Sequence, residues 1–225
     1  HCCGDDIDGR CVMSEQPAVR VVDVSKRYGR RAPTLIDINL VVDAGTIVTL
    51  AGSNGSGKST LLRCVAGLAR CTGLIEVHGI DVRRDKSFRS AIGYLPQAVS
   101  FPPQSTVDET LTFFAQLRGS GDTELPLPEG FLPARSAMVG TLSGGQRQRL
   151  AMAIALLGKP SVLLLDEPVS NLDESGRESV WTMLRELKAT GTTALIASPS
   201  PADLAGIGDR TVVLHDGKVI DDRGR

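Results

Sequence analysis

GSNGSGKST (52–60) is the stretch on which the fold turns. Gly52 to Ser59 satisfy the pattern G-x-x-x-x-G-K-[ST] in full. Glycines let the backbone turn tightly and aim successive N–H groups inward, and a helix opening directly afterwards adds partial positive charge. The pattern has this meaning only between a strand and a helix. TIVTLAG (46–52) is a short apolar run ending in glycine, as a buried strand would be. KSTLLRCVAGL (58–68) places Leu61, Leu62, Val65 and Leu68 at helical spacing. In that setting Gly52, Ser53, Asn54, Gly55, Ser56, Gly57, Lys58, Ser59 and Thr60 are candidates for a nucleotide phosphate cradle. Lys58 is expected to reach the β- and γ-phosphates and Ser59 to place its hydroxyl on Mg²⁺.

Further along, LLLDEPVSN (163–171) ends an apolar run with two adjacent acids. In nucleotidases with such a loop, a neighbouring strand ends in an aspartate that holds Mg²⁺, directly or through water, and Asp166 is in that place. Mg²⁺ prefers oxygen ligands and keeps several waters. Glu167 is then positioned to polarise a water for in-line attack on the γ-phosphate, which makes it the candidate catalytic base.

The rest of the chain alternates strand and helix. AVRVVDVSKRYG (18–29) and LIDINLVVDAG (35–45) read as alternating strands, with Leu35, Ile38, Leu40 and Val42 on one face. GLIEVHG (73–79), AIGYLP (91–96), SVLLLDEP (161–168) and TALIAS (193–198) are further strands. TVDETLTFFAQLRG (106–119), SGGQRQRLAMAIALLG (143–158) and ESGRESVWTMLRELKATG (174–191) read as helices, the first with Thr106 and Glu109 in a capping-box relation. RTVVLHDGKVID (210–221) reads as a hairpin around Asp216-Gly217. The pattern predicts an α/β fold with a mainly parallel sheet, plus an antiparallel portion from the opening and closing strands.

Composition is that of an ordinary globular domain: 225 residues, 41% hydrophobic and 23% charged. A net charge of −1 gives no reason to expect nucleic acid as a partner. No stretch approaches the roughly 18–20 apolar residues needed to cross a bilayer, and no secretory signal opens the chain. Those features lead to the expectation of a cytoplasmic protein whose membrane part, if any, another chain supplies. Five cysteines are present, and adjacent Cys2 and Cys3 lack metal-ligand spacing with His1 and Cys11. Met13 looks like a natural start, so 1–12 is expected to be a disordered extension or an upstream remnant, with the domain over 13–225.

LSGGQRQRL (142–150) resembles the signature of ATP-binding-cassette (ABC) ATPases, and the likeness extends over roughly 18–221. The resemblance implies a P-loop NTPase core, an antiparallel β subdomain and a short helical subdomain inserted at about 98–158. It implies ATP and Mg²⁺ as cofactors, with Tyr28 stacking on adenine and Gln97 touching ATP, Mg²⁺ or its water. It further implies a second ATPase subunit, homo- or heterodimeric. The signature of one subunit, Ser143, Gly144, Gly145 and Gln146, would close in trans on the ATP of the other, with Asp173 in the loop at the interface. Ser143 to Gly145 open a helix, and their N–H groups with the serine hydroxyl are expected to form an anion site. The metal set would be Ser59, Gln97 and Asp166. Transmembrane permease subunits are the implied partners, with the chain peripheral on the inner face of the membrane. Phe101, Phe113, Phe114 and Leu117 are candidates for that docking or for internal packing. VDETLTFFAQLRG more loosely resembles ABC-2-type, haem-exporter and copper-processing export cassettes.

Two departures qualify these expectations. Most relatives carry a histidine after the strand matching TALIAS, where this chain has Pro199, whose side chain neither donates nor accepts. Ser198 or Ser200 is a candidate for a weaker replacement, and slow hydrolysis is expected; His215 is read as an ordinary strand residue. The Gly- and Pro-rich 119–135 stretch stands where relatives have another helix. A soluble ABC ATPase without transport, or a degenerate regulatory cassette in a heterodimer, are the alternative functions.

Overall fold

The computed structural model describes residues 16–199 and 206–224. In chain order the elements are β1 (Val19–Arg27), β2 (Pro33–Val42), β3 (Ile47–Ala51), α1 (Lys58–Val65), β4 (Leu74–Val77), β5 (Ile80–Asp81) and β6 (Ile92–Leu95). There follow α2 (Val107–Leu117), α3 (Gly144–Leu156), β7 (Val162–Asp166), α4 (Glu174–Ala189), β8 (Thr193–Ser198), β9 (Arg210–His215) and β10 (Lys218–Gly224).

Two sheets result. One has the order β2-β1-β4-β5, with antiparallel pairs throughout. The other has the order β10-β9-β3-β8-β7-β6, parallel except for β10, which returns antiparallel on β9. The α/β reading therefore holds, with the antiparallel portion where the sequence pattern put it.

The two faces of the parallel sheet explain why its strands are apolar without alternation. Val162 and Leu164 of β7 join one core with α1 and the antiparallel sheet, while Leu163 and Leu165 join the other with α3 and α4. A strand covered on both faces reads as a continuous hydrophobic run. In β2, by contrast, Leu35, Ile38, Leu40 and Val42 are buried and Val41 is 42% exposed, as a strand with one wet face requires.

The helical insertion has a small core of its own, made by Val107, Leu111, Val139, Leu142, Leu150 and Ala153. It is not separate from the rest, because Ala151, Met152, Ala155 and Leu156 of the same α3 pack on the parallel sheet. Thr106 caps α2 in the expected capping box with Glu109. No helix stands between α2 and the short 3-10 turn Val139–Thr141. That connection is anchored instead: Phe131 is buried, and Arg135 donates to Asp108 Oδ1 at 2.8 Å and to the Thr123 carbonyl at 3.0 Å. Among the described residues no helix is long and apolar enough to cross a membrane. The expected extension with His1, Cys2, Cys3 and Cys11 lies outside the described residues, as does Ser200.

Candidate nucleotide site

β3 is central in the parallel sheet, so its C-terminal end delivers the glycine-rich loop to the sheet's carboxyl edge. Gly52 has φ +147°, and a Cβ there would lie 2.2 Å from the Leu214 carbonyl oxygen. No other residue fits so close to the β9 backbone. The β9–β10 turn at Asp216-Gly217 braces the loop from outside: Gly217 N–H donates to the Ser56 carbonyl, and Ile36 N–H to the Gly217 carbonyl. A Cβ on Gly217 would meet the Thr34 carbonyl oxygen at 2.6 Å. Gly57 caps α1 without any side-chain hydrogen bond, so no side chain competes for the helix's first N–H groups.

Lys58 lies almost fully buried behind the loop. Its Nζ donates to the carbonyls of Gly52 (2.7 Å) and Ser53 (2.9 Å), with Ser56 Oγ at 3.5 Å. Burial lowers its pKa, opposed by the charges of Glu167 and Asp166. Engaging a phosphate would require Nζ to exchange loop carbonyls for phosphate oxygens.

Asp166 is the last residue of β7 and has no solvent exposure. Ser59 Oγ donates to its Oδ1 at 3.0 Å. Its Oδ2 is buried without a hydrogen-bond partner. Burial raises the carboxyl's pKa, the Ser59 hydrogen bond lowers it, and the neighbouring Glu167 charge raises it again. A buried carboxylate oxygen with nothing to bind is costly unless a cation or donor meets it. The pair Ser59 and Asp166 thus fits Mg²⁺, which takes few protein oxygens and keeps its waters.

Glu167 follows with φ +51°, an unusual backbone for a non-glycine residue, held by its N–H donating to the Ala197 carbonyl at 2.9 Å. Gln97 Nε2 donates to Glu167 Oε1 at 2.9 Å. Thr34, Asn54, Gly55, Gly57, Lys58, Ser59, Thr60, Gln97 and Glu167 line one open cleft of about 180 Å³. The sequence pattern did not point to Thr34, or to Gln148, which reaches from α3 to the carbonyl of Pro168 at 3.2 Å and that of Glu167 at 3.4 Å. A signal was available: Gln148 lies on the i, i+4 stripe of Met152 and Leu156, and a polar residue on a buried stripe needs a partner.

Tyr28 stands apart from the cleft, in the turn after β1, 39% exposed, with Lys26 Nζ 4.6 Å from its ring centroid. The signature residues are also outside the cleft. Ser143 caps α3: its Oγ accepts from Gln146 N–H at 3.2 Å, and Gln146 Oε1 accepts from Ser143 N–H at 2.9 Å. The Ser143 N–H, expected to face an anion, is therefore occupied by its own capping box, leaving the N–H groups of Gly144 and Gly145 and the serine's hydroxyl proton for that role. Gly145 packs on Asn171, where a Cβ would lie 3.1 Å from the carbonyl oxygen. Asp173 caps α4 through Gly176 N–H at 2.9 Å. Pro199 is exposed directly beyond β8, whose Ser198 pairs with Ala51 of β3, so it lies at the sheet edge beside the phosphate loop. His215 is exposed beside Asp216.

Phe114 packs edge-on against Phe101, with ring centroids 6.1 Å apart, whereas Phe113 and Leu117 are 56% and 66% exposed on α2.

The ABC transporter family model matches residues 35–170. The chain is 37% identical over 211 residues to the sulfate/thiosulfate import ATP-binding protein CysA of Mycobacterium tuberculosis, covering 90% of this chain and 60% of that protein. It is 35% identical over 212 residues to the Nod factor export ATP-binding protein I of Rhizobium meliloti, covering 90% of this chain and 63% of that protein. The chain spans about three-fifths of the length of the curated relatives it matches. Among solved structures, the dimeric post-hydrolysis state of the ATP-binding cassette MJ0796 bound to ADP and Pi superposes with a TM-score of 0.80 at 26% identity, over 92% of this chain and 98% of that one.

Proposed function

The chain belongs to the ABC transporter family, and from that premise we propose that it is an Mg²⁺-dependent ATPase subunit that powers transport through separate membrane subunits. The observation that carries this reading is one cleft lined by a phosphate loop and a carboxylate held by Gln97, with a buried carboxylate that has a bare oxygen bonded to the cleft's Ser59.

The glycine-rich loop and the start of α1 bind the β- and γ-phosphates through backbone N–H groups, and Lys58 adds its charge. Ser59 and Asp166 would hold Mg²⁺, with Gln97 nearby; when bound, the ion neutralises charge on the β- and γ-oxygens. Glu167 accepts a proton from the attacking water, and Gln97 fixes the orientation of its carboxylate. Tyr28 stacks on the adenine. Ser143, Gly144, Gly145 and Gln146, with Asp173, would meet the nucleotide of a second cassette in trans, homo- or heterodimeric. ATP buried between two such surfaces stabilises the pair by its better affinity for it, and hydrolysis releases it. Exposed Phe113 and Leu117 are the surface on which we place the permease contact, at the inner face of the membrane. Relatives named for import and for export are both similar to this chain, so direction and cargo belong to those subunits.

A second reading, a regulatory cassette with a weak site of its own, is favoured by Pro199 alone: at the histidine's position beside the loop it offers the γ-phosphate no hydrogen bond. Light scattering on Glu167→Gln with Mg-ATP tests the main reading. A stable ATP-dependent dimer is expected, absent in Lys58→Ala; a Glu167→Gln chain that neither binds ATP nor associates would overturn it.

A further inference from the structure

Gln148 is a buried polar side chain whose hydrogen-bond partners lie in another segment of the chain. It stands on α3, one turn beyond Gly145. Its Nε2 donates to the carbonyl of Pro168 at 3.2 Å and to that of Glu167 at 3.4 Å. Any buried amide needs partners. These two carbonyls belong to the candidate base and to the residue after it. Pro168 has no N–H to offer, so α3 grips this dipeptide through its carbonyls, and an NH₂ group matches a pair of them.

The backbone that is gripped is an unfavourable one. Glu167 has φ +51°, a conformation that a residue with a Cβ keeps only where its surroundings hold it. β8 holds it from one side, because the Glu167 N–H donates to the Ala197 carbonyl at 2.9 Å. Within the loop, the Ser170 N–H donates to the Glu167 carbonyl at 3.3 Å. Gln148 supplies the hold from α3. Gly145, three residues earlier and so on the same side of the helix, presses on the residues that follow. A Cβ on Gly145 would lie 3.1 Å from the Asn171 carbonyl oxygen and 3.4 Å from Leu172 Cδ2. With Gln97 on the carboxylate, the tip, N–H and carbonyl of Glu167 are each held by a different segment.

We propose that Gln148 is a positioning residue for the hydrolysis assigned above: it fixes the Glu167–Pro168 backbone so that the Glu167 carboxylate is aimed at the attacking water. The proposal rests on the reading of Glu167 as the base. Gln148 does not line the cleft and acts only through Glu167. The helix end that carries the signature and the carboxylate that takes the water's proton are thereby joined by one turn of α3 and one amide. Without that amide the loop loses its hold on the α3 side and the carboxylate drifts out of line, while the phosphate loop, Ser59 and Asp166 keep their contacts. Misplacing a reacting group lowers turnover without weakening ground-state binding.

Gln148→Met tests this, since it keeps an unbranched side chain of similar length and removes the donor. In phosphate release from Mg-ATP, kcat is expected to fall by about 10-fold to 10²-fold, with KM within about twofold of the wild type. A double-mutant cycle with Glu167→Gln separates positioning from general damage. In the Glu167→Gln background Gln148→Met is expected to cause no further loss, because the group it positions is gone. Hydrogen exchange read by mass spectrometry is the second arm and needs no turnover. The amides of 169–172 are expected to exchange several-fold faster in Gln148→Met, with those of β3 and α1 unchanged. If that variant is too unstable to purify, Gln148→Leu takes both arms. Unaltered kcat, an equal loss of turnover with and without the Glu167 carboxylate, or unaltered exchange would overturn the proposal. A wild type with no turnover, but with exchange in 169–172 still raised by Gln148→Met, would refute the proposed function and leave the tie between α3 and the loop standing.

Discussion

Asp166 carries two opposed demands. Its charge suits a cation, yet it is fully buried, and burial raises its pKa. A carboxyl that holds its proton more tightly folded than unfolded costs stability as pH rises past its unfolded pKa. Asp166→Asn removes that charge while Ser59 can still donate to the amide oxygen. The variant is expected to melt a few degrees higher than the wild type without nucleotide, because a neutral amide is cheaper to bury than an ion. It is also expected to lose the stabilisation that Mg-ATP gives the wild type; thermal scans with and without Mg-ATP read both effects. Asp166 and Glu167 were legible in the sequence because a phosphate loop makes adjacent carboxylates at a strand end meaningful. Gln148 and Thr34 were not, since their roles depend on which carbonyl or cleft lies opposite them. The partner of the Ser143 N–H depends on such a detail too: the same Ser-x-x-Gln spacing that opens the helix also closes a capping box.

At the scale of elements, the connection from α2 to α3 sets how the signature is held. The sequence announced a loop through its glycines and prolines but not its anchor. Phe131 is 2% exposed and sits in the core formed by the parallel sheet, α3 and α4. Phe131→Ala is expected to cost about 3–5 kcal/mol, the usual range for emptying a buried aromatic site, and to lower the melting temperature by about 10 °C. Urea unfolding measures it. Arg135→Ala, which removes exposed contacts only, is expected to cost well under half as much. Helix limits were the least legible feature. The apolar spacing ran to Leu68, but α1 stops at Val65, because Gly67 takes φ +66° and Leu68 turns out to solvent, 63% exposed. Helix α2 has the converse problem. Val107, Leu111 and Ala115 line its buried face and Phe113 and Leu117 an exposed one, and periodicity alone does not say which apolar stripe is covered.

Across the whole molecule, the sheet order was out of reach of sequence pattern, while its class was not. Strand–helix alternation implies a parallel sheet, but only the folded chain sets the order β3-β8-β7-β6 and so brings the segments after β3, β6 and β7 to one cleft. The signature residues and the exposed α2 stripe are not among the residues that line that cleft. Phe113→Asp with Leu117→Asp is expected to leave phosphate release intact and to abolish co-purification with membrane subunits. Loss of turnover in that variant would place the stripe inside the machinery instead. The most direct test of the central claim is phosphate release from Mg-ATP by the full chain beside Glu167→Gln and Pro199→His. Slow turnover is expected in the wild type, at least about 10²-fold less in Glu167→Gln, and up to about 10²-fold more in Pro199→His. Turnover that is unchanged by Glu167→Gln, or absent from both the wild type and Pro199→His, would contradict the assignment of this cleft as an ATPase site.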